Sequence, residues 1–286
     1  MFFNARSLSN NFKLHELIEI SNEKNLHIIG IVETWLHSNI DNGEINIPGF
    51  TIYRKDRDGQ RGGGIILYIK NNLISRLYDV NIEILCEGIV CEIGNVNNDG
   101  ILMAVIYKAP NASEEEVNNM YQIIKNITNK HALIMGDFNF PNINWHEHSC
   151  DNNSEKFLEL IEDCFLHQHV TEPTRGNNIL DLIFTTEEGM VSNLTIESPI
   201  NSSDHSTISF NLTCATSNHL LEDNNINNYN YNIANFQYIK TEIEKIEWDR
   251  SFENKSVEEM WNIFLKFIKQ IIEENIPKYK KKIQNK

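Results

Sequence analysis

The chain has 286 residues, 41% of them hydrophobic, and a formal net charge of −15 at pH 7. This length and hydrophobic content suit one large α/β domain with an appendage, whereas the acidic charge argues against a protein that binds nucleic acid through a general basic surface. No apolar run reaches the roughly 18 residues of a membrane span, and the N-terminal residues do not form a signal peptide, so we expect a soluble, intracellular protein.

Residues 1–213 alternate short apolar runs with a few amphipathic segments, which is the pattern of a layered α/β domain. Several of the apolar runs are separated by turn residues and not by helices, which favours mixed or antiparallel sheets. Helical spacing predicts helices over 12–25, from Ser113 to about residue 129, and from a cap at Ser154. The predicted strands are 28–32, 64–69, 89–93, 101–107, 132–135, 180–185, 191–197 and 207–212.

The composition of the chain changes after residue 213. Asparagine is frequent and aliphatic residues are scarce in 214–235, which predicts a linker. Residues 236–286 carry apolar side chains at helical spacing and end in a basic tail, Lys278–Lys282, which predicts a helical extension. The expected organisation is therefore a domain over 1–213, a linker over 214–235 and an amphipathic extension over 236–286.

Two short strings place ionisable side chains directly beside predicted strands. In one, Asp137 and Asn139 follow the strand 132–135; in the other, Asp204 and His205 precede the strand 207–212. A carboxylate beside an amide and a carboxylate beside an imidazole are groups that hold a hard cation and activate water against a phosphodiester. The two strings together indicate a metal-dependent phosphoesterase.

Polar side chains mark three further strand ends. Glu33 follows the strand 28–32, Tyr107 ends the strand 101–107, and Asn4 follows an apolar start. Each residue alone fits a simpler interpretation: a solvated glutamate, a half-buried tyrosine at a turn, or an Asx turn. Their recurrence at several strand ends is what indicates one shared site.

Two more features complete the candidate set. Asp181 is embedded in apolar residues, so its burial requires a hydrogen-bonding partner. His205 is a suitable partner, because an Asp–His hydrogen bond fixes the tautomer of the ring and raises its basicity. The segment from Arg57 to Gly64 is rich in glycine and arginine, and Arg57 and Arg61 could contact phosphate oxygens. A plain β-hairpin explains the same segment equally well.

The ordered set of candidates resembles the endonuclease/exonuclease/phosphatase superfamily, which has the deoxyribonuclease I-like fold, over nearly all of residues 1–213. The set consists of Asn4, Glu33, Tyr107, Asp137, Asn139, Asp181, Ser203, Asp204 and His205. Within that superfamily the chain is similar to the apurinic-type endonuclease domain of non-LTR retrotransposons, which a reverse transcriptase follows. This closer similarity lies in 4–8, 33–36, 57–64, 107–111 and 180–184.

The resemblance implies an α/β (α+β) fold, a four-layer αββα sandwich of two packed mixed sheets flanked by helices, with the site at one mouth of the sheets.

The resemblance also implies a role for each candidate residue. Glu33 would bind Mg²⁺ or Mn²⁺ with help from Asn4 and Asp204, and Asp137 would orient or deprotonate water that Asn139 positions. His205, held by Asp181, would contact the scissile phosphate with Tyr107, while Arg57, Arg61 and Ser203 would bind the substrate. Because only three residues precede Asn4, we expect its strand to pair weakly.

The function implied by the resemblance is a Mg²⁺-dependent, nuclear endonuclease that nicks DNA and leaves a 3′-hydroxyl for reverse transcription. Two alternatives stay open. The same site could act on RNA, an inositol phosphate or a sphingolipid head group, because a fold does not fix a substrate, and the acidic charge favours this option. The chain could also be an inactive, truncated transposon relic or an interaction module.

Overall fold

A computed structural model describes residues 1–8, 11–57, 62–79, 87–94, 100–200, 203–213, 234–253 and 255–276. Two compact units divide the chain, Met1–His219 and Leu220–Lys286. The predicted linker lies outside the described residues except for 234 and 235. Arg61 and the basic tail Lys278–Lys282 also lie outside them.

The described strands of the first unit form two six-stranded sheets. The first sheet contains, in spatial order, β11 (Val191–Glu197), β12 (Thr207–Leu212), β1 (Phe2–Asn4), β2 (Ile28–Val32), β4 (Ile65–Lys70) and β3 (Phe50–Lys55). The second contains β5 (Ser75–Leu77), β6 (Glu87–Ile93), β7 (Ile101–Tyr107), β8 (Ala132–Asp137), β10 (Asp181–Thr185) and β9 (His167–Gln168). Each sheet has one parallel pair, β1–β2 and β7–β8, among antiparallel neighbours. The prediction of mixed sheets is confirmed.

The described residues form three hydrophobic cores, one between the two sheets and one between each sheet and the helices that cover it. Strand β4 shows why: Leu67 belongs to the core between the sheets, and Tyr68 to the core outside the first sheet. A strand that is buried on both faces reads as a continuous apolar run. Helix α1 (Asn11–Glu23) covers the outer face of the first sheet, and helices α2 (Glu114–Ile127) and α3 (Glu155–Asp163) cover that of the second. The predicted αββα sandwich is confirmed.

The starts of the helices follow local capping chemistry, with one correction. Ser113 forms the predicted capping box with Glu116 at the start of α2. Ser154, expected to cap α3, makes no side-chain cap hydrogen bond and has helical backbone angles. Its N–H group instead donates to the Asp151 carboxylate at 3.1 Å, so Ser154 is bonded to the preceding aspartate and its side chain does not cap the helix.

The apolar pattern of the sequence did not predict several of the strands, and three of these lie at sheet edges. Edge strands β3, β5 and β9 mix polar with apolar residues because one side of an edge is exposed. Strand β1 was expected to pair weakly, but it lies inside the first sheet between β2 and β12. Asn4 at its end is buried, with 4% of its surface exposed.

Two glycines permit close approaches that bring the site together. A Cβ atom on Gly30 would lie 2.8 Å from the Sδ atom of Met135 in the opposite sheet. A Cβ atom on Gly136 would lie 2.3 Å from the carbonyl oxygen of Ile106 in the neighbouring strand. Glycine is therefore required immediately before Asp137 by backbone packing.

The described part of the second unit is helical, with α4 (Phe236–Glu244), α5 (Trp248–Phe252) and α6 (Val257–Asn275). Ser256 and Glu259 form a capping box at the start of α6. Trp248 packs against Phe252, Phe264 and Phe267. Among the helices described in the chain, none has the length and apolar character needed to cross a membrane.

Candidate active site

Polar residues from both sheets meet at one mouth of the sandwich. Asn4 ends β1, Glu33 follows β2, Tyr107 ends β7, and Asp137 ends β8. Asp137 is paired in register with Tyr107 on one side and with Asp181, the first residue of β10, on the other. Parallel strands end at the same edge and an antiparallel neighbour begins there, so the topology itself gathers these side chains.

Asp137 lies at the centre of the group and is 1% exposed. Its Oδ2 atom accepts a 2.9 Å hydrogen bond from the Asn4 amide, which joins the two sheets, and its Oδ1 atom accepts a 3.2 Å bond from the Asn139 N–H group. Burial, followed by the charge of Asp181, raises the pKa of Asp137 to about 7, although His205 and the two asparagine donors act in the opposite direction. A carboxyl group with this pKa can gain and lose a proton near neutrality.

His205 forms a buried pair with Asp181. The Nδ1 atom of the ring lies 2.7 Å from Asp181 Oδ2, and its Nε2 atom lies 3.9 Å from Asp137 Oδ2. Burial alone favours the neutral ring, but the hydrogen bond and charge of Asp181, with the charge of Asp137, outweigh it and raise the pKa of His205. The hydroxyl of Thr174 accepts the backbone N–H groups of Leu180 and Asp181, each at 3.1 Å, and so holds the aspartate in place.

Ser203, predicted to bind substrate, is placed inside the protein. Its hydroxyl donates to the Asn4 carbonyl at 2.7 Å and accepts the His205 N–H group at 3.2 Å. These two bonds attach the loop that carries His205 to the end of β1.

Glu33 lies beside this group, and its carboxylate accepts three hydrogen bonds. It accepts hydrogen bonds from the Tyr107 hydroxyl and the Trp35 indole, and a 3.4 Å bond from the Gly63 N–H group. Glu33 and Trp35 have φ angles of +55° and +56°, a left-handed conformation that costs free energy in residues with a side chain. Burial and then the Glu33 carboxylate raise the pKa of Tyr107, so its hydroxyl stays protonated and remains a donor.

Asp204, a predicted metal ligand, is paired with arginines. Its Oδ2 atom accepts bonds from Arg175 Nε at 3.0 Å and Nη2 at 2.7 Å, and it lies 3.3 Å from Arg6 Nη1. Partial burial opposes ionisation, but the two guanidinium groups outweigh it and hold the pKa of Asp204 below its usual range.

Arg57, a predicted substrate contact, is paired with Glu87. Its guanidinium also lies 5.7 Å from the centre of the Tyr107 ring. The Glu87 carboxylate accepts in addition a 2.8 Å bond from the Gly64 N–H group. Arg61, the other predicted arginine contact, lies outside the described residues.

Sequence reasoning missed several residues that hold the site. Lys108 donates to the Asn139 carbonyl at 3.3 Å, and the Asn139 amide donates to the Lys108 carbonyl at 2.9 Å. Lys108 and Trp35 lie within the segments 107–111 and 33–36, which the sequence had already singled out, so their membership of those segments was a usable signal. Arg6 lies within the segment 4–8 but was given no role, and no motif or periodicity marks Thr174 or Arg175, because their contacts arise only from the tertiary fold.

The buried residues fit a divalent cation in their chemistry. Asp137, Asp181 and His205 each offer a ligand atom within 4.8 Å of the others. The Oδ1 atom of Asp181 is buried with no hydrogen-bond partner among the described residues, and the nearby Glu33 and Asn4 add carboxylate and amide oxygens. Oxygen donors of this kind suit a hard cation, so the chain carries a candidate acidic and histidine metal site.

Part of the chain is similar to a known protein family. Residues 101–209 match a family model described as Endonuclease-reverse transcriptase. No curated protein matches the chain.

Solved structures with the same fold differ in what they act on. The endonuclease domain of TRAS1, a telomere-specific non-LTR retrotransposon, is 15% identical with a TM-score of 0.57, covering 75% of this chain and 98% of that one. The AP endonuclease LMAP from Leishmania major is 11% identical with a TM-score of 0.56, covering 74% and 87%. The mannosyl-6-phosphatase Bt3783 of Bacteroides thetaiotaomicron is 13% identical with a TM-score of 0.50, covering 74% and 98%. The fold of this chain is therefore that of the deoxyribonuclease I-like, or endonuclease/exonuclease/phosphatase, proteins, and its residues 101–209 are similar to the Endonuclease-reverse transcriptase family.

Proposed function

We propose that the chain is a divalent-cation-dependent endonuclease that nicks DNA and leaves a 3′-hydroxyl, as part of a non-LTR retrotransposon. The observation that carries this proposal is the 3.9 Å gap between His205 Nε2 and Asp137 Oδ2. At this distance, a potential proton acceptor, Asp137, and a potential hydrogen-bond donor, His205, lie side by side at one mouth of the sandwich. The Endonuclease-reverse transcriptase family model and the TRAS1 domain support the choice of DNA.

Asp137 is the group that takes the proton of the attacking water. Its pKa of about 7 suits a general base at neutral pH. The hydrogen bonds from Asn4 and Asn139 fix the direction of its carboxylate, and the Asn139 side chain, bonded to the Lys108 carbonyl, stays beside it.

His205 is the group that faces the scissile phosphate. Asp181 binds its Nδ1 atom and raises its pKa, which favours the imidazolium form, and the Nε2–H group of that form can donate to a phosphate oxygen. A donor fixed in advance at the point where negative charge develops is a large contribution to catalysis. Ser203 acts as a positioning residue, since its hydroxyl holds the His205 loop.

Glu33 and Asn4 would hold Mg²⁺ or Mn²⁺ near Asp137. A cation bound there supplies a Lewis acid that polarises the phosphate and stabilises its negative charge. Tyr107 and Trp35 orient the Glu33 carboxylate through their hydrogen bonds. Asp204 is engaged by two arginines, so we do not include it among the ligands.

The second candidate is a phosphoesterase with the same site that acts on RNA or on a small phosphoester. Two observations favour it: the mannosyl-6-phosphatase shares the fold, and the net charge of −15 is unusual for a DNA-binding protein. Turnover measured side by side on plasmid, RNA and a soluble sugar phosphate separates the two candidates.

The partners that follow from the proposal are the phosphodiester backbone of DNA and, in a full-length element, a reverse transcriptase domain. A nuclear location belongs to the same proposal. The third reading, an inactive relic, predicts a site that has lost its hydrogen bonds, whereas Asn4, Asp137, Asp181 and His205 are buried and bonded.

Nicking of supercoiled plasmid tests the proposal. The wild-type protein with Mg²⁺ is expected to yield nicked circles that a DNA polymerase extends with labelled nucleotides, and EDTA is expected to stop the reaction. Asp137→Ala and His205→Ala are expected to abolish nicking, whereas Asp163→Ala, on the exposed end of α3, serves as the matched control. Equal nicking by all four proteins would overturn the assignment.

A further inference from the structure

An arginine pair at the mouth of the site is not used by the proposed mechanism. Arg6 and Arg175 share the single carboxylate of Asp204, with nearest distances of 3.3 Å and 2.7 Å. Two guanidinium groups on one carboxylate carry a net charge of +1. Both arginine side chains are about half exposed, and a guanidinium has more N–H donors than one carboxylate oxygen can accept.

Arg6 stands on a rigid loop. The N–H groups on either side of it donate to the end of β2 and to the residue after it: Ala5 to the Val32 carbonyl at 2.9 Å and Ser7 to the Glu33 carbonyl at 2.7 Å. The Arg6 N–H group donates to the Asn4 side chain at 3.0 Å. The backbone that carries Arg6 is therefore hydrogen-bonded to the segments that carry Asn4 and Glu33, the candidate metal ligands.

Arg175 is equally well supported. It lies in a tight turn in which its N–H group donates to the Asn178 carbonyl at 3.1 Å and Asn178 donates back at 2.9 Å. The preceding residue, Thr174, holds the Asp181 backbone, and its carbonyl accepts the Ser206 N–H group at 2.8 Å. Arg175 is thus fixed to the elements that carry Asp181 and His205.

The charge distribution makes this pair distinctive in an acidic chain. Arg57 near the site is paired with Glu87, and Lys108 is half-buried with its amine on the Asn139 carbonyl. Among the described residues at this mouth, the Arg6–Asp204–Arg175 trio combines an excess of positive charge with exposure. Exposed ion pairs are weak and easily exchanged, so an incoming phosphate can take over N–H donors from Asp204.

We propose that Arg6 and Arg175, aligned by Asp204, form a phosphate clamp that binds a backbone phosphate next to the scissile one. This inference rests on the proposed function and deepens it, because a second phosphate is present in a polynucleotide and absent from a small phosphomonoester. The clamp therefore selects a polynucleotide chain. Asp204 acts in it as a positioning residue.

Binding without catalysis tests the clamp. The probe is a fluorescein-labelled DNA duplex in EDTA, and its affinity for the full chain is measured by fluorescence anisotropy over a series of NaCl concentrations. Each phosphate contact contributes about one to the slope of log affinity against log salt. Arg6→Gln and Arg175→Gln are each expected to bind more weakly and to reduce the magnitude of that slope by about one.

Two controls make the result specific. Arg76→Gln removes a comparably exposed arginine on edge strand β5, which pairs with Glu92 of β6, and this variant is expected to bind as the wild type does. Arg6→Lys and Arg175→Lys keep the charge, and each is expected to retain the wild-type slope. Thermal unfolding of every variant verifies that it is folded.

The outcomes separate the clamp from the proposed function. Unchanged slopes in both glutamine variants, or no binding of the duplex by the wild type in EDTA, would overturn the clamp even if the protein nicks plasmid. A wild type that binds with arginine-dependent slopes but nicks no DNA would support the clamp and contradict the proposed endonuclease.

Discussion

The Nδ1 atom of His205 lies 2.7 Å from Oδ2 of Asp181, and the two side chains are 2% and 0% exposed. A carboxylate sealed behind an imidazole can act on a substrate only through the ring it holds. Its effects on rate should therefore appear as effects on the charge and orientation of His205 and, through its own charge, on the pKa of Asp137.

Asp181→Asn is expected to keep the hydrogen bond to His205 while removing the negative charge. The pKa of His205 then falls, because Asp181 is what raises it, and the imidazolium is lost at a lower pH. We expect nicking to fall roughly 10- to 100-fold and the alkaline limb of the pH–rate profile to move to lower pH. Initial rates over a pH series measure both, with Asp163→Asn as the control; an unmoved alkaline limb would contradict the role of Asp181.

Asp137 is expected to make the metal-free protein less stable as the pH rises. Its folded pKa of about 7 lies above its ordinary value of 3.8, so its contribution is fully present below about pH 4 and is lost as the pH rises through about 7. The upper bound is on the order of 4 kcal/mol, since a difference of one in pKa corresponds to about 1.4 kcal/mol. The raised pKa of His205 acts in the same direction.

The comparison with Asp137→Asn isolates this effect. Urea unfolding in EDTA, at pH values from about 5 to about 8, gives the free energy of unfolding of both proteins. The variant is expected to gain stability relative to the wild type as the pH rises. A difference that stays constant over this range would show that the Asp137 carboxyl is not desolvated as described.

Trp35→Phe is expected to weaken the proposed metal site while keeping the aromatic ring. The substitution removes the indole N–H group that donates to Glu33, and the loss of a group that orients a metal ligand typically costs 10- to 100-fold in metal affinity or activity. The Mg²⁺ concentration that gives half-maximal nicking should rise accordingly.

Trp145→Phe is the matched control for this prediction. The Trp145 indole nitrogen is buried with no hydrogen-bond partner among the described residues, so its removal should leave the Mg²⁺ dependence unchanged. Equal Mg²⁺ requirements in both variants and the wild type would rule out a positioning role for Trp35.

Gly136→Ala is expected to destabilise the protein by about 1–3 kcal/mol, the usual cost of overpacking. The added methyl group would lie 2.3 Å from the Ile106 carbonyl oxygen, which forces β8 away from β7 beside Asp137. Urea unfolding measures the loss. Gly189→Ala is the control, because a Cβ atom there meets nothing within 4 Å; the same stability for both variants would contradict the close approach.

The features that could be predicted best from the sequence are those that follow from the local pattern of apolar and polar residues. Strand 101–107 has the predicted bounds because it is an unbroken apolar run, and strand 191–197 has them although Ser192 and Asn193 interrupt its apolar residues. The partnership of Asp181 with His205 followed from the cost of burying an unpaired carboxylate, and the structure places the two in contact.

Features that depend on tertiary contacts could not be read from the sequence. Asp204 has the residue type and position of a metal ligand, yet 29 residues separate it from Arg175, with which it pairs. No spacing rule connects such residues. Edge strand β9, with only two residues, is defined by its pairing with β10 and has no apolar pattern of its own.

The central place of β1 has a consequence for the order in which the site is completed during synthesis. Strand β1 lies between β2 and β12, and Ser203 reaches back 199 residues to the carbonyl of Asn4. Until the chain has been made beyond Leu212, the first strand lacks one neighbour and His205 has no anchored loop. A ribosome that stops before Ser203 releases a protein in which Asn4 can still bond Asp137 and Tyr107 can still bond Glu33, but which lacks the histidine proposed to face the phosphate.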